Sequence, residues 1–470
     1  MPSRPLALVA AAALALPTVP AVSAAAATPW LLSVATGFSS SSLPTGVTVT
    51  QRMDRVRVLA VHATPAALPA LLRTPGVHGM YPDVAMHATG MSAGSGPAVF
   101  APAAVGGEAG TSDAGHNVVV AVIDSGVADT STLSRKSGSL VRGPDFSADA
   151  SERRDGFGHG TFMANLVAGG SLGGSPIGIA PGAVVVDVKV ADGTGTTRLS
   201  KVVRGLNWVA DKGVSSGVQV VSLSLAADRP TGGYGSDPLT DAADAVQSAG
   251  ATVVVSAGND PSQVGDPGQD PALLTVGAAD TSRSQVAVAP FSGRAVVAGE
   301  QRPDIVAPGV HVVSQLPADS VIAQQNPQSA YGPLWRGTGT SQATAVVAGE
   351  VAVFLANRGR VAPQDVRESF AVVAKDLGDG GGHGFSVIPT AVAHGTGGQP
   401  TLSPTTGSGG SATATSSSWS SSSWSSSSWS ASSWSSSSWS SSSWSSSSWS
   451  SSSWSSSSWS SSSWSGSEWG

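Results

Sequence analysis

The sequence predicts an α/β fold, a three-layer sandwich in which helices cover both faces of a mainly parallel central sheet. Runs such as NVVVAVID and AVVVDVKV are apolar at nearly every position, which is typical of strands buried on both faces. Segments with helical spacing of apolar residues separate these runs, and this alternation indicates parallel strands joined by crossover helices.

Composition limits the classes of function. The chain has 470 residues, of which 40% are hydrophobic and 11% charged, so it can hold one large domain plus accessories. A net charge of −6 without a basic patch argues against nucleic acid as a partner. Cysteine is absent, which excludes disulfides, thiol catalysis and cysteine-ligated metals.

Residues 1–26 have the pattern of a signal peptide. Arg4 precedes an apolar run, and small residues suited to signal peptidase follow near Ala24–Ala27. Pro17 and Pro20 close the run too early for a membrane span, and no later stretch reaches the about 20 apolar residues that a span requires. We therefore expect a secreted, extracellular protein.

Residues 27–89 form a small α+β unit in this interpretation. Arg55–Ala63 alternates as a strand, PAALPALLRTPG is a short helix opened by proline, and VHGMYPDVAMHAT is a second strand. A unit this small has little core of its own, so we expect it to lean on a partner surface.

Residues 90–396 contain the predicted sandwich. Its strands are expected at 117–124, 183–190, 218–225 and 251–260, with helices at Leu199–Asp211 and Leu239–Ser248. Ligands of such sheets bind beyond the carboxyl ends of the strands. Asp124 and Asn259 both lie at strand ends of this kind.

The end of the chain changes composition. Residues 397–418 are rich in Gly, Ser and Thr and predict a flexible linker. In residues 419–470 a tryptophan recurs every five positions among serines, a spacing that matches neither the helical nor the strand period. We interpret this stretch as a disordered tail of low complexity. Attachment to carbohydrate or cell wall by aromatic stacking is the functional alternative.

Four polar residues sit where strands end or helices begin. Asp124 ends VVVAVID, His159 opens a helix in DGFGHGT four residues after Asp155, and Asn259 follows VVVSAG. Ser341 stands between GTGT and a long apolar helix, where a lone serine would ordinarily be an N-cap. Each signal is weak alone, but the four in this order are a strong indication of serine catalysis, since subtilisin has the order Asp, His, Ser.

The sequence resembles the subtilisin-like serine proteases (subtilases) at AVIDSG, GHGT, SAGN and GTGTSQATAVVAG. RPDIVAPG and TVGAAD match two further signatures of that family, and the resemblance extends from Ala98 to His394. It implies a subtilisin-like fold and a secreted serine endopeptidase, made as a zymogen, that acts on proteins or peptides through an acyl-enzyme.

The resemblance also implies a role for each matching residue. Ser341 would be the nucleophile, His159 its general base, and Asp124 the carboxylate that holds the imidazole. Asn259 would donate its amide to the oxyanion, alongside the Ser341 N–H. Residues 27–89 would be a propeptide that acts as chaperone and inhibitor, with autocleavage near Thr89.

The substrate cleft is expected between two backbone segments. Ser224, Leu225, Ala226 and Ala227 would line one side, and Ala257 and Gly258 the other. The family usually has glycine where this chain has Ala226 and Ala227, which predicts a narrower cleft.

This chain departs from the family pattern at two further positions. Gln342 stands where methionine usually follows the nucleophile, and Ala345 replaces a common proline. Neither change removes a catalytic group. No cofactor is required. Calcium stays open, because GGSLGGSPIGIAPG lacks the Asn and Asp oxygens of the usual strong site.

Two other readings compete with an active peptidase. In one, the chain is a catalytically silent subtilase scaffold attached to a cell surface by its Ser/Trp-rich tail. In the other, it is a structural wall protein whose repeat carries the function.

Overall fold

The computed structural model of the protein describes residues 26–88, 96–147, 154–227, 237–378, 380–396 and 398–403. The predicted signal peptide, apart from its last residue, and the Trp-Ser repeat lie outside the described residues. The helices are α1 (Leu68–Leu71), α2 (Ala101–Val105), α3 (His159–Ala168), α4 (Leu199–Trp208), α5 (Pro238–Ala249), α6 (Val321–Gln325), α7 (Thr340–Arg358) and α8 (Pro363–Val373).

The strands of the amino-terminal unit are β1 (Thr28–Val34), β2 (Val47–Met53), β3 (Val58–Ala63), β4 (Val77–Pro82) and β5 (Ala85–Ala88). Those of the main domain are β6 (Val119–Asp124), β7 (Leu140–Asp145), β8 (Ser171–Leu172), β9 (Ser175–Pro176), β10 (Val184–Lys189), β11 (Thr197–Arg198), β12 (Val218–Leu223), β13 (Leu225–Ala227), β14 (Thr252–Ser256), β15 (Leu274–Asp280), β16 (Ala287–Val288), β17 (Ala295–Val297), β18 (Glu300–Arg302), β19 (Ile305–Pro308), β20 (Val312–Ser314), β21 (Ala330–Tyr331), β22 (Leu334–Gly337), β23 (Val392–Thr396) and β24 (Gly398–Ser403).

The central sheet has the order β16-β15-β14-β12-β6-β10-β7, and β19 pairs with β15. Its ladders are parallel except the one between β15 and β16. Alternate residues of β6 enter different cores. Val120 and Val122 pack in the cluster that includes Phe162 of α3, whereas Ala121 and Ile123 pack with α4 and α5. The predicted three-layer α/β sandwich is confirmed.

The amino-terminal unit is a four-stranded antiparallel sheet with the order β2-β3-β1-β4. Its two faces differ. Leu32 and Leu59 belong to a small core within the unit. Leu31 and Val58, their chain neighbours, pack in the cluster formed by α4 and α5 of the main domain. The unit thus leans on the main domain, and it also has a small core of its own, which is more than the sequence predicted.

The last described strand continues the regular structure beyond the predicted boundary at residue 396. β24 pairs antiparallel with β23, although the sequence predicted a flexible linker from residue 397. Throughout the described ranges, no helix has the length and apolar character needed to cross a bilayer.

Helix α7 carries a buried acid in the apolar core. Glu350 is 0% exposed, Ser386 Oγ donates to its Oε1 at 3.0 Å, and its Oε2 has no hydrogen-bond partner. Burial raises the pKa of Glu350 from 4.5 to about 8. Between these values the unfolded chain has lost this proton while the folded chain keeps it, so the free energy of unfolding falls as pH rises.

Replacing Glu350 with Gln should remove that fall. We expect urea unfolding of the Ser341→Ala protein, used to prevent self-digestion, to lose about 3 kcal/mol more between pH 5 and 8 than the Glu350→Gln double variant. Glu108→Gln, at an exposed glutamate, is the matched control and should behave like the parent. Parallel pH curves for parent and Glu350→Gln would contradict the burial argument.

Candidate active site

The four predicted catalytic residues lie at the carboxyl edge of three neighbouring parallel strands. Asp124 is the last residue of β6, Ser224 follows β12 and contacts Ser341, and Asn259 follows β14. These strands are adjacent in the order β14-β12-β6, and neighbouring strands lie about 4.8 Å apart. The sheet therefore places Asn259, Ser224 and Asp124 side by side, and Ser224 brings the Ser341 hydroxyl to the same edge.

Asp124 and His159 form a buried pair. His159 Nδ1 lies 2.9 Å from both Asp124 oxygens, and the two side chains are 1% and 0% exposed. Because the carboxylate accepts, Nδ1 carries the hydrogen and the neutral ring keeps its lone pair on Nε2. Nε2 is buried and has no hydrogen-bond partner among the described residues. The ring is thus oriented as a base.

A second carboxylate, Asp155, ties the ends of β6 and α3 together. It accepts hydrogen bonds from Ser125 Oγ, Gly158 N, Thr161 N and Thr161 Oγ1 at 2.6–2.9 Å. Burial raises the pKa of Asp155, against these four donors, which lower it. No role for Asp155 was predicted from sequence. Its position four residues before His159 was the available signal.

A glycine permits the close approach of α3 to β6. A Cβ on Gly160 would lie 2.2 Å from Gly126 O, which is closer than a Cβ tolerates, and 3.0 Å from Asp124 Cβ. The glycine in GHGT is therefore a packing requirement, and it lets His159 reach Asp124.

Ser341 lies inside the first turn of α7 and is not its N-cap, which is Gly339. Its Oγ is 3.4 Å from Ser224 O, and Ser224 Oγ is 3.4 Å from Ser341 O. N–H groups of a first helical turn have no partner within the helix. As an N–H of the first turn, that of Ser341 points out of the amino-terminal end of α7.

Asn259 is oriented by the residue before Ser341. Thr340 donates its N–H and its Oγ–H to Asn259 Oδ1 at 2.9 and 3.0 Å. Since a backbone N–H can only donate, the accepting atom must be the amide oxygen. The Nδ2 donor therefore occupies the opposite arm of the amide, as an oxyanion site needs.

The predicted cleft residues divide into two groups. Leu225, Ala226 and Ala227 pair antiparallel with Ala88, His87 and Met86 of β5. Ala257 instead bonds within the domain: its N–H donates to Val276 O and its carbonyl oxygen accepts from Gly265 N. Gly258 O accepts from Gly293 N. Ala257 and Gly258 directly precede Asn259 in the chain.

A second strand that pairs with β5, β11, was not predicted from sequence. β11 pairs antiparallel with the other edge of β5, Thr197 opposite Met86 and Arg198 opposite Ala85. β5 is thus the middle strand of a three-stranded sheet. β11 has only two residues, which are too few to show the periodicity of a strand.

Residues 96–403, leaving aside their gaps, show no cluster of three or more His, Asp or Glu side chains able to hold a metal, nor does the amino-terminal unit as described. At one edge of the sheet the chain brings together an imidazole paired with a carboxylate, a serine hydroxyl and a side-chain amide.

Comparisons with known proteins point the same way. Residues 115–386 match the Subtilase family. Serine protease AprX of Bacillus subtilis (strain 168) is 33% identical over 269 residues, 54% of this chain and 60% of that protein. Subtilisin DY of Bacillus licheniformis is 30% identical over 284 residues, 59% of this chain and 91% of that protein. The chain thus spans less than two thirds of AprX.

A solved structure shares the fold. Fervidolysin from Fervidobacterium pennivorans, described as a keratinolytic enzyme related to subtilisin, aligns with a TM-score of 0.60 at 22% identity. The alignment covers 79% of this chain and 63% of fervidolysin.

Replacing Asp155 with Ala should destabilise the protein. The change leaves two backbone N–H groups and two hydroxyls without their acceptor, so we expect the free energy of unfolding to fall by at least about 2 kcal/mol. Urea unfolding in the Ser341→Ala background measures it.

Asp319→Ala is the control, because Asp319 makes an exposed ion pair with Arg154 worth less than about 1 kcal/mol. Equal losses for the two variants would show that Asp155 does not hold the site together.

Proposed function

Because this chain belongs to the subtilase family, we propose that it is a serine endopeptidase that hydrolyses proteins or peptides at Ser341. The observation that carries the proposal is the buried contact of His159 Nδ1 with Asp124, at the sheet edge that also bears Ser341 and Asn259. A base held in this tautomer, at the same sheet edge as a hydroxyl in the first turn of α7, suits acyl transfer.

The proposed reaction has two halves. Ser341 Oγ attacks the scissile carbonyl carbon while His159 Nε2 takes the hydroxyl proton, and Asp124 stabilises the imidazolium. Asn259 Nδ2 and the Ser341 N–H donate to the oxyanion. The intermediate collapses to an ester on Ser341, and His159 gives its proton to the leaving amine. A water molecule then attacks the ester in the same way, with His159 taking its proton. This step releases the carboxylic acid of the substrate and restores the Ser341 hydroxyl.

We further propose that residues 27–89 are an inhibitory propeptide and that self-cleavage falls near Thr89. Support comes from β5, which occupies the cleft as an extended strand between β11 and β13. Along β5 the residue numbers rise from the Ala227 end to the Leu225 end, toward Ser224 and Ser341. A peptide bound in this direction presents the bond after its last residue to the nucleophile.

For the two ends of the chain, the proposed roles rest on the amino-acid sequence alone. We propose that residues 1–26 direct secretion and that the repeat in 419–470 gives the peptidase a surface or carbohydrate contact. The amino-terminal sequence of the purified protein reports both secretion and self-processing.

Reaction with a fluorophosphonate probe tests the function. We expect the matured protein to be labelled at Ser341, because only a serine activated by a base reacts readily. Ser341→Ala should not be labelled, and His159→Ala should be labelled at least about 100-fold more slowly. Absence of labelling in the matured protein would favour a catalytically silent scaffold.

Replacing Met86 with Ala should weaken propeptide inhibition. Met86 is 0% exposed in the cleft, and truncating a buried methionine costs about 2 kcal/mol or more. We therefore expect the lag before hydrolysis, after dilution of the self-cleaved complex, to shorten at least about tenfold.

The neighbouring residue supplies the control. His87 is exposed on the same strand, so His87→Ala should keep the lag within about twofold. Equal lags for the two variants would contradict inhibition through the Met86 side chain.

A further inference from the structure

The turn that follows the catalytic strand β6 is held by two basic side chains that the proposed reaction does not use. Lys189 is the last residue of β10, directly opposite Asp124 in the parallel register. It is 2% exposed, and its Nζ donates to Ser125 O. Arg135 Nη2 donates to Val127 O at 2.8 Å. Two carbonyl groups within three residues of Asp124 are therefore bound by basic side chains.

Asp187 is the acid that lies next to both of these side chains. Arg135 Nη2 donates to its Oδ2 at 3.0 Å. Lys189 follows two residues later on the same face of β10, and its charge acts on the Asp187 carboxyl group. Asp187 is only 7% exposed. A buried carboxylate is tolerated beside opposite charge, and the anion in turn stabilises the two basic side chains in their positions.

Ser125 transmits the position of this turn to the catalytic pair. Its N–H lies 2.7 Å from Asp124 Oδ1. Its Oγ accepts from Gly160 N at 3.0 Å and donates to Asp155 Oδ1 at 2.9 Å. Gly160 follows His159 in the first turn of α3. A shift of the Ser125 backbone would therefore move both partners of the contact between Asp124 and His159.

We propose that Asp187 is a positioning residue, which as an anion holds the turn behind Asp124 through Arg135 and Lys189. It acts through these contacts and takes part in no covalent step. Hydrogen bonds to a charged acceptor are about twice as strong as those to a neutral one, so a protonated Asp187 holds the turn less firmly. This inference rests on the proposed peptidase function.

The charge of Asp187 changes in the pH range in which a histidine base works. Burial raises the pKa of Asp187 from 3.8 to about 7, although the charges of Arg135 and Lys189 lower it. The side chain is thus mostly neutral below pH 7 and mostly charged above it, so the turn should be held most firmly above pH 7. The charged groups that line the small cavity beside Asp187 or act on its charge are Arg135, Arg142, Asp145, Asp155 and Lys189.

Asp187→Asn tests the inference, because the amide keeps the shape of the side chain and is neutral at every pH. Hydrolysis of a peptidyl p-nitroanilide by the matured parent and variant is compared at pH values of about 5.5 and 8.5. At the higher pH we expect the variant to have about fivefold lower kcat with KM unchanged, and at the lower pH a kcat within about 1.5-fold of the parent. Protonation of His159 slows both proteins alike and cancels in the ratio.

Asp129→Asn is the matched control. Asp129 also pairs with Arg135, at 3.2 Å from Nη1, but its side chain is half-exposed. Although burial raises the pKa of Asp129, the hydrogen bonds and charge of Arg135 lower it below its usual value. Asp129 is therefore charged at both pH values, and the ratio of parent to Asp129→Asn should be the same at both.

The parent protein alone supplies a second measurement should Asp187→Asn fail to mature. We expect the fall of its kcat/KM from about pH 9 to 5 to require two ionisations, one of His159 and one of Asp187.

A ratio of parent to Asp187→Asn that is equal at the two pH values, or a parent profile described by one ionisation, would overturn the role of Asp187 and leave the peptidase function intact. A matured parent that does not hydrolyse the anilide at either pH would overturn both proposals.

Discussion

The contact between Asp124 and His159 is the interaction on which the rest of the site depends. It joins a strand end to a helix start across 35 residues of sequence, and both side chains are withdrawn from water. A buried carboxylate is tolerated only when donors surround it. The chain supplies them through the imidazole and the Ser125 N–H, which lies 2.7 Å from Asp124 Oδ1. Asp155 then fixes Ser125 and the start of α3, so that the pair is held from both sides.

The amino-terminal unit places its last strand, β5, at the same edge of the central sheet. Period-two alternation sends neighbouring residues of β1 and β3 to opposite faces, one into the unit and one onto α4 and α5. That docking delivers β5 into the cleft, where pairing on both edges satisfies its backbone groups. Extended pairing of this kind binds backbone first and selects side chains at alternate positions. Met86 is buried and His87 exposed in that pattern.

Much of the fold follows from sequence because parallel strands buried on both faces are largely apolar, and β6, β10, β12 and β14 are rich in valine with few polar residues. β2 was not predicted, although its exposed Thr48, Thr50 and Arg52 alternate with less exposed residues in the pattern of a half-buried strand. β11 was not predicted because it has only two residues. Ser341 was expected just before α7 and lies within its first turn. The orientation of Asn259 by Thr340 could not be predicted, because it depends on tertiary contact across 81 positions.

A crystal structure of the matured protein with a peptidyl phosphonate bonded to Ser341 Oγ tests the central claim most directly. The account predicts that His159 keeps both its Nδ1 contact to Asp124 and an Nε2 contact within about 3 Å of an oxygen on phosphorus. It also predicts the phosphoryl oxygen between Asn259 Nδ2 and the Ser341 N–H. An imidazole turned away from Asp124, or a phosphoryl oxygen facing neither donor, would contradict the account.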